Sequence, residues 1–293
     1  MKLSSPLRRP SNAMSLVELL ITMAILSTLM GALLPAVNAA REAARRMQCT
    51  NNLRQLGIAT NAYEAARGHL PPPKLGTQFE NRGSTLVLLL PYLEEHDAYA
   101  RYRFDEPIDS TNNRPITARP VSVYLCPTMR LPATPLGDTS LAPGSYVISS
   151  RTTYAKHQQL DGAFANQRPG QPYRLSTRHI RDGASRTLLF GEINYGHADF
   201  RWSEPSELAG QSRWGDTTWA NGYWFHAWGH MSDDYPHLFN NSQLFLSPYS
   251  PRAFRSDHPG GVQFVKIDGS ALFLTNDTDP QVRRAYVTRR GRD

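Results

Sequence analysis

Several residues in this chain have types and spacings that chemistry can use. A single carboxylate, Glu18, lies near the start of an otherwise uncharged apolar run, MSLVELLITMAILSTLMGALLPAV, at residues 14–37. A carboxylate at the edge of lipid costs a few kcal/mol unless it meets a cation or the interface, so Glu18 calls for a charged partner. Cys49 and Cys126 are the only thiols. Two cysteines are too few for a disulfide scaffold and cannot alone complete a four-ligand zinc site, but an oxidising compartment allows one bond between them. His258 and Asp268 have nine residues between them, and acid–base work would be their chemistry. A strand between them, rising about 3.3 Å per residue, sets its ends roughly 20 Å apart and argues against a direct dyad. His226 and His230 are four apart, a spacing that suits a metal on one helix face. Gly222 and Gly229 weaken any helix there, and no Glu lies between the histidines as a zinc-protease motif requires. The surrounding stretch 197–237 also carries Trp202, Trp214, Trp219, Trp224 and Trp228. Exposed, these rings would stack on sugars or a partner; the plainer reading packs them on a sheet. No Gly-rich phosphate loop and no Gly-x-Ser-x-Gly nucleophile motif occurs, so the sequence assigns no catalytic residue, no cofactor and no metal site.

The elements that position these residues begin with a polar leader, MKLSSPLRRPSNA (1–13), holding Lys2, Arg8 and Arg9 and no acid. The apolar run after it, at about 1.5 Å per helical residue, covers roughly 30 Å and matches a bilayer, with its membrane half at about 16–37. Basic residues ahead of the span keep the leader cytoplasmic and send the rest across. Val37-Asn38-Ala39 has the look of a signal-peptidase site, but the apolar run exceeds the usual length of about 7–15 residues and no polar break precedes it. A plain anchor leaves Glu18 without a purpose.

Helix formers then continue, and the less polar positions Cys49, Leu53, Leu56, Thr60 and Tyr63 step by four, three, four and three, which marks one helix face. Gly68 and Pro71–Pro73 stop the helix. A helix over 14–67 would be roughly 80 Å long, kinked at Pro35. From 68 to 293 no second long apolar segment follows. Residues 84–104 read as a helix interrupted near Pro91, VSVYLC (121–126) as a short strand, Tyr146–Ile148 as another, and TLLFGEI (187–193) as a buried strand. GVQFVKIDGSALFL (261–274) reads as a hairpin whose Asp268-Gly269 suits a tight type I′ turn. Gly260-Gly261 allow close backbone approach. The fold class is α+β: a long N-terminal, partly transmembrane helix packed on a mostly antiparallel sheet. Cys49 on the helix stripe and Cys126 in the head predict a disulfide, closing more than 70 residues for about 4 kcal/mol. The net charge of +7 is spread along the chain and argues against nucleic acid as a partner.

The segment AMSLVELL resembles the cleavage motif of type IV prepilins and type II secretion pseudopilins. That resemblance implies a cut between Ala13 and Met14 by a prepilin peptidase, methylation of the new Met14 amine, and Glu18 as the carboxylate that meets such an amine on a neighbouring helix. Ala13 stands where the family usually has Gly, and Met14 where it has Phe, which implies slower processing. Residues 40–57, LLLPYLEE (88–95), YLCPT (124–128), IRDGASRTLLFGE (180–192) and HPGGVQFVKIDGS (258–270) together resemble the DUF1559 prepilin-like proteins, with His258, Gly260, Gly261, Asp268 and Gly269 in the processing-associated C-terminal signature. The resemblance implies a bacterial inner-membrane, single-pass protein with its head outside the cytoplasm. Its partners would be the peptidase/methylase and other pilin-like subunits, and its role assembly into a fibre for secretion or surface interaction. The alternative is an anchored binding protein with a Trp-rich head that does not polymerise.

Overall fold

The computed structural model describes residues 15–76, 80–131, 141–154, 160–166, 172–194, 210, 217–222, 227–244 and 252–291, and the backbone of 196–201 and 212–214. The first helix, α1, runs Leu16–Arg67 with Pro35 inside it. Its start is a capping box: the Ser15 N–H donates to Glu18 Oε2 at 2.9 Å and the Val17 N–H to Ser15 Oγ at 3.4 Å. Its end is Gly68, at φ +74°, whose N–H donates to Glu64 O at 2.7 Å. The chain divides into two compact units, Met1–Ala44 and Arg45–Asp293, with the boundary inside α1.

In the first unit every large apolar side chain from Leu16 to Val37 is exposed. By length and composition this half of α1 is able to cross a membrane. The hydroxyls of Ser27 and Thr28 return to carbonyls one turn back, Ser27 to Met23 O at 2.7 Å and Thr28 to Ala24 O at 3.0 Å, so they present no free donor on that surface.

In the second unit the expected stripe is buried: Cys49, Leu53, Leu56, Thr60 and Tyr63, joined by Asn52, Gly57 and Ala59. Of the polar members, Thr60 bonds within the helix, donating to Leu56 O at 2.8 Å, and Asn52 donates to Leu125 O at 2.9 Å. Against this face lies a short hairpin of β1 (Lys74–Leu75) and β2 (Gly83–Ser84), then α2 (Thr85–Leu89), a 3-10 turn at Leu90–Tyr92 and α3 (His96–Arg101). The segment 84–104 is thus an interrupted helix, broken where Pro91 enters. Ser84 starts α2 by accepting from the Leu86 N–H.

The main sheet has five strands. β3 (Tyr146–Arg151) and β4 (Leu188–Glu192) pair antiparallel. β5 (Gly196–Arg201) and β6 (Ser212–Trp214) form a separate two-stranded ribbon. β7 (Trp228–His230) lies parallel beside β3, and β8 (Gly261–Lys266) joins β4 to β9 (Ala271–Thr275), giving the order β7-β3-β4-β8-β9. Three of the four pairings are antiparallel. The central strand β4 is buried along its whole length because both sheet faces are covered. One core joins the α1 stripe, α2, Tyr146, Ile148, Leu189 and Val265; the other joins Val147, Leu188, Val262, Phe264 and Phe254. This is the α+β, pilin-like architecture.

Two local expectations are corrected. Residues 121–126 are not a strand: Ser122–Tyr124 form a 3-10 turn, with the Tyr124 N–H donating to Val121 O at 2.9 Å and the Leu125 N–H to Ser122 O at 3.2 Å. Pro120 and Pro127 bracket the segment and carry no N–H for a ladder, so its alternating pattern finds no neighbouring strand. Tyr124 instead turns inward, donating its hydroxyl to Leu86 O at 2.7 Å beside the Trp219 ring. The Asp268-Gly269 turn is also not type I′, which needs positive φ at both central residues. Positive φ falls on Gly269 alone, at +83°. The loop is Ile267–Gly269, closed by Gly269 N–H to Lys266 O and Lys266 N–H to Ser270 O, each 2.9 Å. Asp268 accepts from the Ser270 N–H at 2.9 Å and the Ser270 hydroxyl at 2.6 Å.

Candidate functional site

The described residues bring four donor groups to one buried point. Cys49 stands on the inward face of α1. Cys126 follows the 3-10 turn, where its N–H donates to Ser145 Oγ at 2.8 Å and its carbonyl accepts from the Met129 N–H at 2.9 Å. The two sulfurs are bonded, with the Cα atoms 5.2 Å apart, as expected from the sequence. His258, in the loop ahead of β8, is fixed by its own N–H donating to Ser256 Oγ at 3.1 Å. It sets Nε2 3.3 Å from Cys126 Sγ and 3.6 Å from Glu192 Oε1. Glu192 ends β4, in register with Tyr146 across the β3 pairing. The four donor atoms all lie within 4.8 Å of one another, and all four residues are buried.

The electrostatics follow from burial. Desolvation pushes the Glu192 carboxyl up to about 7, although the Gln263 N–H, the Ser256 hydroxyl and the nearby Arg46 cation pull it back; Asp257 adds to the rise. Its Oε2 accepts from the Gln263 N–H at 2.9 Å, whereas Oε1 makes no hydrogen bond among the described residues. Burial, then the field of Glu192, also holds the Tyr146 hydroxyl protonated well beyond its ordinary range. Arg46, one turn before Cys49, donates to Pro259 O at 2.8 Å and lies 4.5 Å above the Phe273 ring. Gln263 reaches back to Arg46 O at 2.9 Å and also accepts from Thr50.

The structure places the remaining sequence candidates apart from this cluster. Asp268 sits exposed in the hairpin turn and does not meet His258, so the sequence argument against a dyad is matched by the geometry. Gly260 takes φ +87°, and a Cβ on Gly261 would press on Leu274 O and come within 2.7 Å of Phe273 Cζ. Both glycines therefore serve the backbone between His258 and β8. Glu18 caps its own helix, a local role the sequence reading did not foresee. Ala13 and Met14 lie outside the described residues, as do His226, Trp202 and Trp224. His230 is buried with Nδ1 accepting from the Ser232 N–H at 3.1 Å, on a strand and not a helix. Trp219 and Trp228 are buried, donating to Arg119 O and Pro73 O at 3.1 Å each, so neither offers a stacking face. From the sequence Glu192 reads only as part of an apolar strand, so its meeting with Cys49, Cys126 and His258 is not foreseen there. A usable signal was present: four of the segments quoted above (40–57, 124–128, 180–192 and 258–270) each contribute one member of the cluster.

An apolar N-terminal helix continuing into an α+β head whose sheet packs on that helix defines the pilin-like class of membrane-anchored proteins. A prokaryotic N-terminal methylation motif matches residues 8–34, which marks the chain as prepilin-like. The family described as protein of unknown function (DUF1559) matches residues 38–281, and the chain belongs to it. No curated protein and no solved structure matches the chain.

Proposed function

We propose that this chain is a prepilin-type subunit, cut between Ala13 and Met14, methylated on the Met14 amine, and held in the inner membrane by residues of about 16–37 with its head outside the cytoplasm. It would assemble through α1 with other pilin-like subunits into a pilus-like fibre for secretion or surface interaction, in a structural and not a catalytic role. The observation that carries this reading is the methylation motif over 8–34 on a helix whose large apolar side chains are all exposed through Val37. Such a surface needs lipid or other helices around it. Glu18 fits the reading in two stages. Before processing it caps α1 through the Ser15 N–H; afterwards the cationic Met14 amine is its nearest new charge, on its own or a neighbouring helix. The anchored-receptor alternative gains nothing from the buried Trp219 and Trp228.

Intact-mass analysis of the chain from its native membrane tests the proposal. A mature polypeptide starting at N-methylated Met14 supports it. One that keeps Met1, or starts near Ala40, overturns it. Glu18→Ala then separates the two roles: a fibre subunit stays in the membrane but loses cross-linkable multimers, while an anchored receptor is unchanged in both.

A further inference from the structure

The Cys49–Cys126–Glu192–His258 cluster carries more than a covalent staple needs. A disulfide requires neither an imidazole against its sulfur nor a buried carboxyl oxygen left without a hydrogen bond. Buried polar groups without partners cost stability and are commonly retained for another use. We propose that Cys49, Cys126, Glu192 and His258 form a metal site for a zinc-like divalent ion, opened when the disulfide between the two cysteines is reduced.

The geometry supports a tetrahedral ion. With Zn–S of about 2.3 Å and Zn–N and Zn–O of about 2.0–2.2 Å, tetrahedral edges come to about 3.6 Å for sulfur to nitrogen and about 3.4 Å for nitrogen to oxygen. The structure holds Cys126 Sγ to His258 Nε2 at 3.3 Å and His258 Nε2 to Glu192 Oε1 at 3.6 Å. The two sulfurs must part from bonding distance to about 3.8 Å, and all four donor atoms already lie within 4.8 Å of one another. The donor type points the same way: two thiolates, an imidazole and a carboxylate suit zinc, while magnesium and calcium take oxygen shells. Three anionic donors around a dication leave the set one negative charge, and Arg46 supplies a nearby cation.

The chemistry balances with a dithiol as the reductant. The dithiol gives up two electrons and two protons and becomes a disulfide; the Cys49–Cys126 bond breaks and both sulfurs become thiols. The metal ion then displaces the two thiol protons to solvent, together with the carboxyl proton of Glu192 where it holds one. A disulfide oxidant, taking up two electrons and two protons to become a dithiol, re-forms the Cys49–Cys126 bond and releases the ion, so the bond and the metal exclude each other.

The full chain in detergent, oxidised or reduced with a phosphine, is titrated with Co2+ as an optical probe and then with Zn2+. The reduced chain is expected to bind one Co2+ with a sulfur-to-cobalt charge-transfer band and tetrahedral d–d bands, and the oxidised chain none. Glu192→Gln and His258→Ala should each weaken Co2+ binding by at least the roughly 10–100-fold that outer-shell partners cost. If either variant fails to fold, thiol alkylation of the reduced native chain decides: stoichiometric Zn2+ must protect both cysteines. The proposal is overturned if the reduced chain shows no thiolate–cobalt band, if foldable Glu192 and His258 variants bind as tightly as the native chain, or if Zn2+ leaves the thiols open. It is equally overturned if reduction unfolds the head and Co2+ does not restore its near-ultraviolet circular dichroism.

Discussion

Removing the covalent link between α1 and the head should have a calculable effect on stability. Cys49 and Cys126 are separated by 77 residues. For a loop of that length the chain-entropy relation gives about 4–5 kcal/mol at 25 °C, arising in the unfolded chain. The double substitution Cys49→Ala/Cys126→Ala should therefore lose about that much, plus a small packing term because Cys49 is fully buried against the core. The assay is denaturant unfolding of the full chain in detergent with a chelator present, read by the fluorescence of the buried Trp219 and Trp228. A parallel measurement on the native chain reduced with a phosphine separates the two contributions. Reduction opens the loop but keeps the sulfur atoms, so its loss should be nearly that of the double variant. A native chain whose mass rises by two hydrogens on reduction confirms that the bond was present. If the bond is present and the double variant loses less than about 1 kcal/mol, the loop-closure reasoning is refuted: the unfolded chain would then already be held compact by something other than this link.

The buried carboxyl predicts a pH dependence of unusual direction. An acid raised from 4.5 to about 7 keeps in the folded state a proton that the unfolded chain has released, so stability falls as pH rises through that window, by about 3 kcal/mol from this group. In the oxidised chain Glu192→Gln should flatten that slope in unfolding curves taken between about pH 4 and pH 8; a native chain that gains stability from Glu192 across this range contradicts the assignment. Gly57 brings α1 close to the hairpin turn, where an added Cβ would stand 3.0 Å from Val265 Cγ2 and 3.1 Å from Gly269 Cα. Gly57→Leu should cost about 1–3 kcal/mol in the same assay by forcing the two apart, and a neutral result would show that the helix is free to shift. Gly269→Ala, at φ +83°, should cost about 1–2 kcal/mol, with Gly269→Asn nearer to native because Asn tolerates that backbone region.

Much of this molecule is legible in the sequence wherever neighbours along the chain decide the outcome. The α1 stripe shows itself in the alternating steps of four and three, and the hairpin in alternation about Asp268-Gly269. The turn type is not legible, because an Asp-Gly pair also serves a three-residue loop, and only the closing Lys266–Ser270 pair distinguishes the two. Segment 121–126 misleads because an alternating β-branched pattern describes the residues and not their partners; Pro120 and Pro127 are the stronger signal. The four-residue cluster has no sequence period at all. It depends on the register Tyr146↔Glu192, on the turn that carries His258 into β8, and on the burial of one particular helix face. Glu192 is the hardest member to foresee: at the end of an apolar strand it looks like a residue leaving the core, yet the sheet ends over the helix and keeps it inside.

The links between α1 and the head are of several kinds. Within the second compact unit the helix is joined to the head by the apolar stripe, by the disulfide, by Arg46 to Pro259, by Gln263 to Arg46 and Thr50, and by the close packing of Gly57 on the hairpin. The disulfide and several polar members lie between Arg46 and Asn52, where Asn52 adds a bond to Leu125 O at 2.9 Å; farther along the helix Glu64 accepts from the Thr177 N–H at 2.7 Å. Reduction removes the one covalent member and opens the donor set beside it, so the join would depend on what then occupies the gap between the sulfurs. A metal ion held by the two cysteines, by Glu192 of β4 and by His258 of the loop ahead of β8 would restore a connection of comparable reach, joining α1 to β4 directly, which the disulfide does not do.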